Sequence, residues 1–164
     1  MKGLTRRCSG RGQAAPLSFD VMERGAMSSS TQISPETRKR LIHAAIQATT
    51  KAFLTKPGGT RYGAAVLTSS GQIHTAGQYS SWNHVTNVHA EMAAIVVATM
   101  AGDPDVVYLA LASNRAEEEP ARPCGVCREF INEHAVRIGR DIIVLMTNRD
   151  GTKVEEVPLS ELLP

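Results

Sequence analysis

The chain has 164 residues, 42% of them apolar, which suffices for one domain with a real core and falls short of two comfortable ones. No apolar run approaches the roughly 18 to 20 residues of a membrane-spanning helix, the longest being Met92 to Met100, so a soluble protein without membrane contact is expected. The net charge of +2 splits into +5 over residues 1 to 40 (eight Lys or Arg against three Asp or Glu) and −3 over the rest (ten against thirteen), and a slightly acidic folded part argues against a nucleic-acid partner.

Residues 1 to 32 are rich in Gly, Ser, Arg and Gln with scattered apolar residues, a composition that cannot bury enough surface to offset chain entropy. They are expected to form a disordered basic tail ahead of a folded domain over residues 33 to 164. Met22 and Met27 offer alternative starts, and Arg6-Arg7 lacks the apolar segment that would make an export leader. Three cysteines, two of them in one Cys-x-x-Cys, suit a metal or redox pair in a reducing, cytoplasmic setting better than a disulfide framework.

Order is expected to begin at Ser34-Pro35-Glu36-Thr37, with Ser34 capping and Pro35 at the first helical position. Leu41, Ala44, Ala45, Ala48, Ala52 and Phe53 continue a first helix at helical spacing, closing before Pro57-Gly58-Gly59. Tyr62 to Thr68 and Gln72 to Ala76, separated by Ser69-Ser70-Gly71, read as a hairpin. A polar loop follows from Gly77 to Val88. His89 to Met100 is an alanine-rich helix apolar on nearly all sides, which predicts burial against a sheet. Asp105 to Ala112 reads as a buried strand, and Asn114 to Arg122, with Glu117-Glu118-Glu119, as a solvated loop. Cys124 to Val136 reads as a helix, Ile142 to Thr147 as a strand and Val154 to Val157 as an edge strand. This order predicts an α/β fold, a three-layer α/β/α sandwich around a mixed sheet of about five strands.

Two motifs carry chemistry. Val88-His89-Ala90-Glu91 opens one predicted helix, and Pro123-Cys124-Gly125-Val126-Cys127 opens the next. Free amides and the helix dipole at such a position stabilise thiolate over thiol, and zinc binds the thiolate. Cys124, Cys127 and a neutral His89 supply three zinc ligands and leave the fourth tetrahedral position open for water, the mark of a catalytic site. The two thiolates cancel the ion's charge, so activating that water calls for a carboxylate beside it as proton acceptor, and Glu91 is placed for this. A structural zinc would need a fourth protein ligand, and the one spare cysteine, Cys8, lies in the tail.

His89-Ala90-Glu91 followed by Pro123-Cys124-Gly125-Val126-Cys127-Arg128 resembles the cytidine deaminase superfamily, over about residues 36 to 164 and including the closing Leu159-Ser160-Glu161-Leu162-Leu163-Pro164. The resemblance implies attack of zinc-activated water on the amino-bearing ring carbon, with Glu91 protonating the ring nitrogen and then the departing ammonia. Gly125 and Arg128 resemble the branch acting on free pyrimidine nucleosides. That branch implies that Arg128 donates hydrogen bonds to a ligand sulfur, that the substrate is cytidine or deoxycytidine, and that the protein forms a homotetramer (or a homodimer) with active sites completed by neighbours.

The chain also departs from that branch. The Asn-x-Glu that grips ribose in nucleoside deaminases is missing from Gly77-Gln78-Tyr79-Ser80-Ser81-Trp82-Asn83-His84, and Thr60 stands where a phenylalanine is usual, followed by Tyr62. The loop is somewhat closer to blasticidin S deaminases, so a modified cytosine or another aminoheterocycle is the rival substrate. A non-catalytic zinc-binding module is the rival of another class, and Glu91 speaks against it. Tyr79, Trp82, His84 and Ala90 are the candidate substrate contacts, because the loop should border the pocket and an aromatic ring can stack on a heterocycle. His43, His74 and His134 are read as ordinary structural or surface residues.

Overall fold

A computed structural model of the protein describes residues 32–116 and 119–164. The expected tail lies outside the described residues, as do Glu117 and Glu118 of the acidic loop, whose neighbour Glu119 is exposed.

Helix α1 spans Pro35–Ala48, and Ser34 caps it as expected, its Oγ accepting the Thr37 amide proton at 3.1 Å. Strands β1 (Tyr62–Thr68) and β2 (Ile73–Gly77) form the hairpin, followed by α2 (Ala90–Met100), β3 (Val106–Ser113), α3 (Gly125–Ile138), β4 (Ile143–Thr147) and β5 (Val154–Pro158). The sheet order is β2-β1-β3-β4-β5, with β3 and β4 parallel and every other pair antiparallel. The parallel pair requires a crossover, and α3 supplies it. The mixed five-stranded sheet predicted from the sequence is therefore present.

Alternation along the central strands builds the layers. Ala64, Val66, Leu109, Leu111, Val144 and Met146 point to one face and pack with Ala94, Ile95 and Ala98 of α2 and Ile131 of α3. Ala65, Leu67, Tyr108, Ala110, Ala112 and Leu145 point to the other, against Leu41, Ile42 and Ala45 of α1. Strand β1, buried from Gly63 to Thr68, is a central strand covered on both sides.

Two expectations are corrected. The first helix does not run on towards Phe53: it passes at Thr49–Lys51 into a 3-10 turn that lies against the hairpin, and Phe53 is exposed. Helix α2 is not buried all round. Ala90, Ala94, Ile95 and Ala98 face the sheet, while Val96, Val97 and Met100 face outward, because a single sheet can cover only one side of a helix.

Candidate active site and metal centre

The two chemical motifs meet because α2 and α3 pack on the same face of the sheet with both N-termini at the end where β1 begins at Tyr62 and β2 and β4 finish, and His89 and Cys124 take up the cap positions there. The helices start one residue later than the sequence suggests. His89 (φ −74°, ψ 154°) and Cys124 (φ −71°, ψ 170°) are extended N-caps, and neither side chain caps a backbone amide of its own helix. An ordinary cap would spend its side chain on the free amides of the first turn. Here the side chains turn to one another instead.

His89 Nδ1 lies 3.1 Å from Cys127 Sγ and 3.3 Å from Cys124 Sγ, and the two sulfurs are 3.6 Å apart. Tetrahedral zinc, with bonds of about 2.3 Å to sulfur and about 2.0 to 2.1 Å to nitrogen, would set ligand edges of about 3.8 Å between sulfurs and about 3.6 Å from sulfur to nitrogen. The observed triangle matches to within about half an ångström by that geometry. One imidazole and two thiols are zinc's preferred donors, and these three ligand atoms all lie within 4.8 Å of one another. The residues fit the ion, and zinc is the cofactor of this site.

Glu91 sits on the first turn of α2, two residues past His89, and retains only 4% of its exposure. Burial holds its carboxyl above the ordinary glutamate value, against the opposing pull of its own backbone amide, the Cys127 thiol and His89. Burial likewise pushes the Cys127 thiol far up, with the Glu91 charge adding to it.

Above this group opens a pocket of about 270 Å³. It is lined by His89, Ala90, Glu91 and Cys124 from the two motifs, by Tyr62, Gln78, Tyr79 and Ser80 from the hairpin end, by Asn87 and Val88 from the following loop, and by Arg122. Of the expected substrate contacts, Ala90 and Tyr79 line it, and the Tyr79 ring stacks on Phe53 with centroids 5.4 Å apart. Trp82 and His84 are not among its lining residues. Trp82 is 80% exposed, and His84 is exposed with a φ of 58°. The loop leaves the pocket because Ser81 and Asn83 fold it on itself, Asn83 Oδ1 accepting from Ser81 Oγ at 2.9 Å and from the Val85 amide at 3.1 Å.

Gln78, Asn87 and Arg122 were not singled out by the sequence reading. A signal existed for Asn87, two residues before the ligand His89. None existed for Gln78 and Arg122, whose positions follow from the hairpin and the β5 contact. Arg128 donates from Nη1 to the Leu162 carbonyl at 2.7 Å, tying α3 to the C-terminal segment, and its buried Nε has no partner among the described residues. His43 is exposed, His74 bonds Asp103 and His134 bonds the Pro104 carbonyl, so these three are structural or surface residues as expected.

An α/β/α sandwich that brings one imidazole and two cysteines together beside a buried glutamate defines a zinc-dependent deaminase. The family described as the cytidine and deoxycytidylate deaminase zinc-binding region matches residues 35–145, and the chain belongs to it. Its fold is similar to that of cytidine deaminase from Burkholderia pseudomallei, with a TM-score of 0.66 and 26% identity over 77% of this chain and 95% of that one. The cytidine deaminase from Mycobacterium tuberculosis gives 0.60 and 23% over 77% and 94%, and that from Bacillus anthracis 0.57 and 23% over 77% and 86%. Among the described residues no helix is long and apolar enough to cross a membrane.

Proposed function

We propose that the protein hydrolyses the exocyclic amine of a cytosine-type nucleoside, cytidine or deoxycytidine, giving the uracil product and ammonia. The observation that carries this reading is the buried Glu91 lining the pocket, two residues past His89 of the His89, Cys124 and Cys127 triangle. The similarity to the Burkholderia pseudomallei cytidine deaminase supports the substrate class.

Zinc held by His89, Cys124 and Cys127 supplies a Lewis acid that makes water nucleophilic at neutral pH. Glu91 moves the protons. Its carboxylate takes one from the attacking water and gives it to the ring nitrogen, as oxygen bonds to the amino-bearing carbon. It then takes the new hydroxyl's proton and gives it to the amine, which leaves as ammonia while the carbonyl forms. Ala90 and Tyr79 line the space for the heterocycle. Arg128 is proposed to trim the charge of a ligand sulfur through its unpartnered, buried Nε.

A homotetramer is the proposed assembly, supported by the outward Val96, Val97 and Met100 of α2, which would be costly to leave in water. Light scattering on the purified protein tests it. A second substrate reading, an aminoheterocycle other than cytidine, is favoured by the pocket wall. Ser80 stands near the place of the missing acid, and each end of the Gln78 amide already makes one hydrogen bond, to Tyr62 and to Ser80. Ammonia release by the zinc-loaded protein from cytidine, deoxycytidine, blasticidin S and guanine, with Glu91→Gln as control, decides between the two. Zinc bound without ammonia from any of them would remove the deaminase reading in favour of a binding module.

A further inference from the structure

The loop between Ser80 and Asn87 has both feet in the pocket, which these two residues line, while residues 81–86 between them do not. The feet are firmly held. Tyr79 and Val88 exchange backbone hydrogen bonds of 2.8 and 2.9 Å, and the Ser81 amide donates to Asn87 Oδ1 at 2.8 Å. On the other side of Tyr79 the Phe53 amide donates to the Gln78 carbonyl at 2.9 Å, and the Ser80 amide to the Phe53 carbonyl at 2.8 Å. Beyond the feet the loop is bonded only to itself. Asn83 Oδ1 accepts from Ser81 Oγ at 2.9 Å, from the Val85 amide at 3.1 Å and from Thr86 Oγ1 at 3.4 Å, and the His84 amide donates to the Ser81 carbonyl at 3.3 Å. Among the described residues no hydrogen bond joins residues 82–86 to the body of the protein. All of them are exposed, Trp82 by 80% and Val85 by 85%, and His84 holds a left-handed φ of 58° that few non-glycine residues adopt.

We infer that residues 81–86 form a lid that turns on the Tyr79–Val88 ladder and lays the Trp82 indole over a substrate in the pocket. The structure holds this lid open. The inference rests on the deaminase reading for the kind of substrate covered, and on the loop itself for the motion. A loop tied by its own side chains moves as one piece, and its closure breaks no hydrogen bond to the body of the protein, so the bending falls on the feet. Reach suffices, because Trp82 stands two residues from the pocket-lining Ser80, a span of at most about 7 Å of chain, and the indole adds its own length. Closure takes a large aromatic side chain and a valine out of water at the pocket mouth. The face of an indole suits a planar heterocycle, whose own π-face stacks on it. Val88 leads directly into His89, so the ladder that carries the lid also supports a metal ligand. A second copy of the chain lying on Trp82 would shield it whether the pocket is filled or empty, and a lid would shield it only when the pocket is filled.

Trp82 is the sole tryptophan of the chain, so its emission reports on this loop alone. The zinc-loaded full chain carrying Glu91→Gln, which keeps the compounds intact, is titrated with cytidine, deoxycytidine, blasticidin S and guanine. Calorimetry follows binding, and emission with acrylamide quenching follows Trp82. In the free protein acrylamide should quench the indole freely; with a bound compound the emission should shift to the blue and the quenching be lost. Adding Trp82→Ala should weaken binding of that compound at least about fivefold, the low end for a base stacked on an aromatic side chain, with zinc content and circular dichroism unchanged. Trp82→Phe should restore most of the loss. Binding that leaves Trp82 emission and quenching as they were, or that is undiminished in Trp82→Ala, overturns the lid and leaves the deaminase reading standing. An indole already shielded in the free protein overturns the lid in favour of a second copy. If none of the four compounds binds, the cytosine-type reading fails, and relaxation dispersion of the free chain then judges the lid: one shared exchange rate for the amides of residues 82–86 upholds it, and its absence overturns it.

Discussion

Gly63 and Gly77 face each other across β1 and β2, and the end of α1 lies directly on the pair. A Cβ on Gly63 would fall 2.5 Å from the Ala45 carbonyl oxygen, and one on Gly77 would fall 2.6 Å from the Lys51 carbonyl carbon. Both obstacles are backbone and cannot rotate away. Tyr62 and Gln78, the neighbours of these glycines, line the pocket, so the contact that seats α1 also fixes one wall of the site. Gly63→Ala and Gly77→Ala are each expected to cost at least about 1–3 kcal/mol, the usual range for overpacking. Urea denaturation measures the loss, and an unchanged midpoint would show that the helix end can lift off the hairpin.

Replacing His89 or Cys127 with alanine leaves two of the three ligands, and zinc content should fall from one ion per chain to a small fraction of that. Because zinc takes thiolate, binding to the buried Cys127 releases a proton, and calorimetry in buffers of different ionisation heat should detect it. Affinity should therefore weaken as the solution is made more acidic. Without metal the sign for folding is opposite. The folded state binds the Cys127 proton more tightly than the unfolded chain does, so the metal-free protein should lose stability as pH rises above the ordinary thiol value of 9.0.

Glu91→Gln is expected to lower kcat by about 10²- to 10⁴-fold, the range for a general acid–base group, with zinc content retained. The same change should raise the melting temperature of the metal-free protein at pH 7. Burial raises the Glu91 carboxyl above its usual 4.5, so the folded state holds more protons than the unfolded one and stability falls as pH climbs from 4.5 through the raised value. Glutamine removes that slope. Melting curves of the two metal-free proteins that stay parallel from pH 4 to pH 7 would contradict a buried, shifted Glu91.

Asp103 ties the β1–β2 turn to the end of α2. Its Oδ2 accepts from Thr68 Oγ1 at 2.6 Å, from Ser70 Oγ at 2.8 Å and from His74 Nε2 at 3.2 Å. The Thr68 and Ser70 hydroxyls, followed by His74, hold the carboxyl below its ordinary 3.8. The stability it contributes is complete above 3.8 and is lost as pH falls through the lowered value. Asp103→Asn should lower the melting temperature at neutral pH and flatten the acid limb. Activity should be spared, since none of these residues lines the pocket.

A chain beginning at Ile33 should bind zinc and melt as the full chain does, because every described metal ligand lies within residues 33 to 164. Released zinc on truncation would implicate the tail, and Cys8 first.

Much of the fold was legible from single residues. Ser34-Pro35 marked the start of α1, and Gly71 marked the hairpin turn with a φ of 85°. The metal ligands were legible for a local reason: His89 and Cys124 each precede a helix, where thiolate and imidazole chemistry has the support of free amides. The candidate substrate contacts were less so. Trp82 and His84 lie close in sequence to the pocket-lining Ser80, yet the Asn83 and Asn87 hydrogen bonds fold their loop on itself.

The sequence by itself thus determined which side chains can hold zinc and which carboxyl stands beside them, since residue type and short-range spacing fix both. The tertiary structure decided that His89 meets Cys124, 35 residues away, and which lone pairs and N–H groups of the pocket wall remain to meet a substrate. A side chain's polarity towards a ligand depends on what its other end has already bonded, and for Gln78 and Arg122 those partners lie on other segments of the fold.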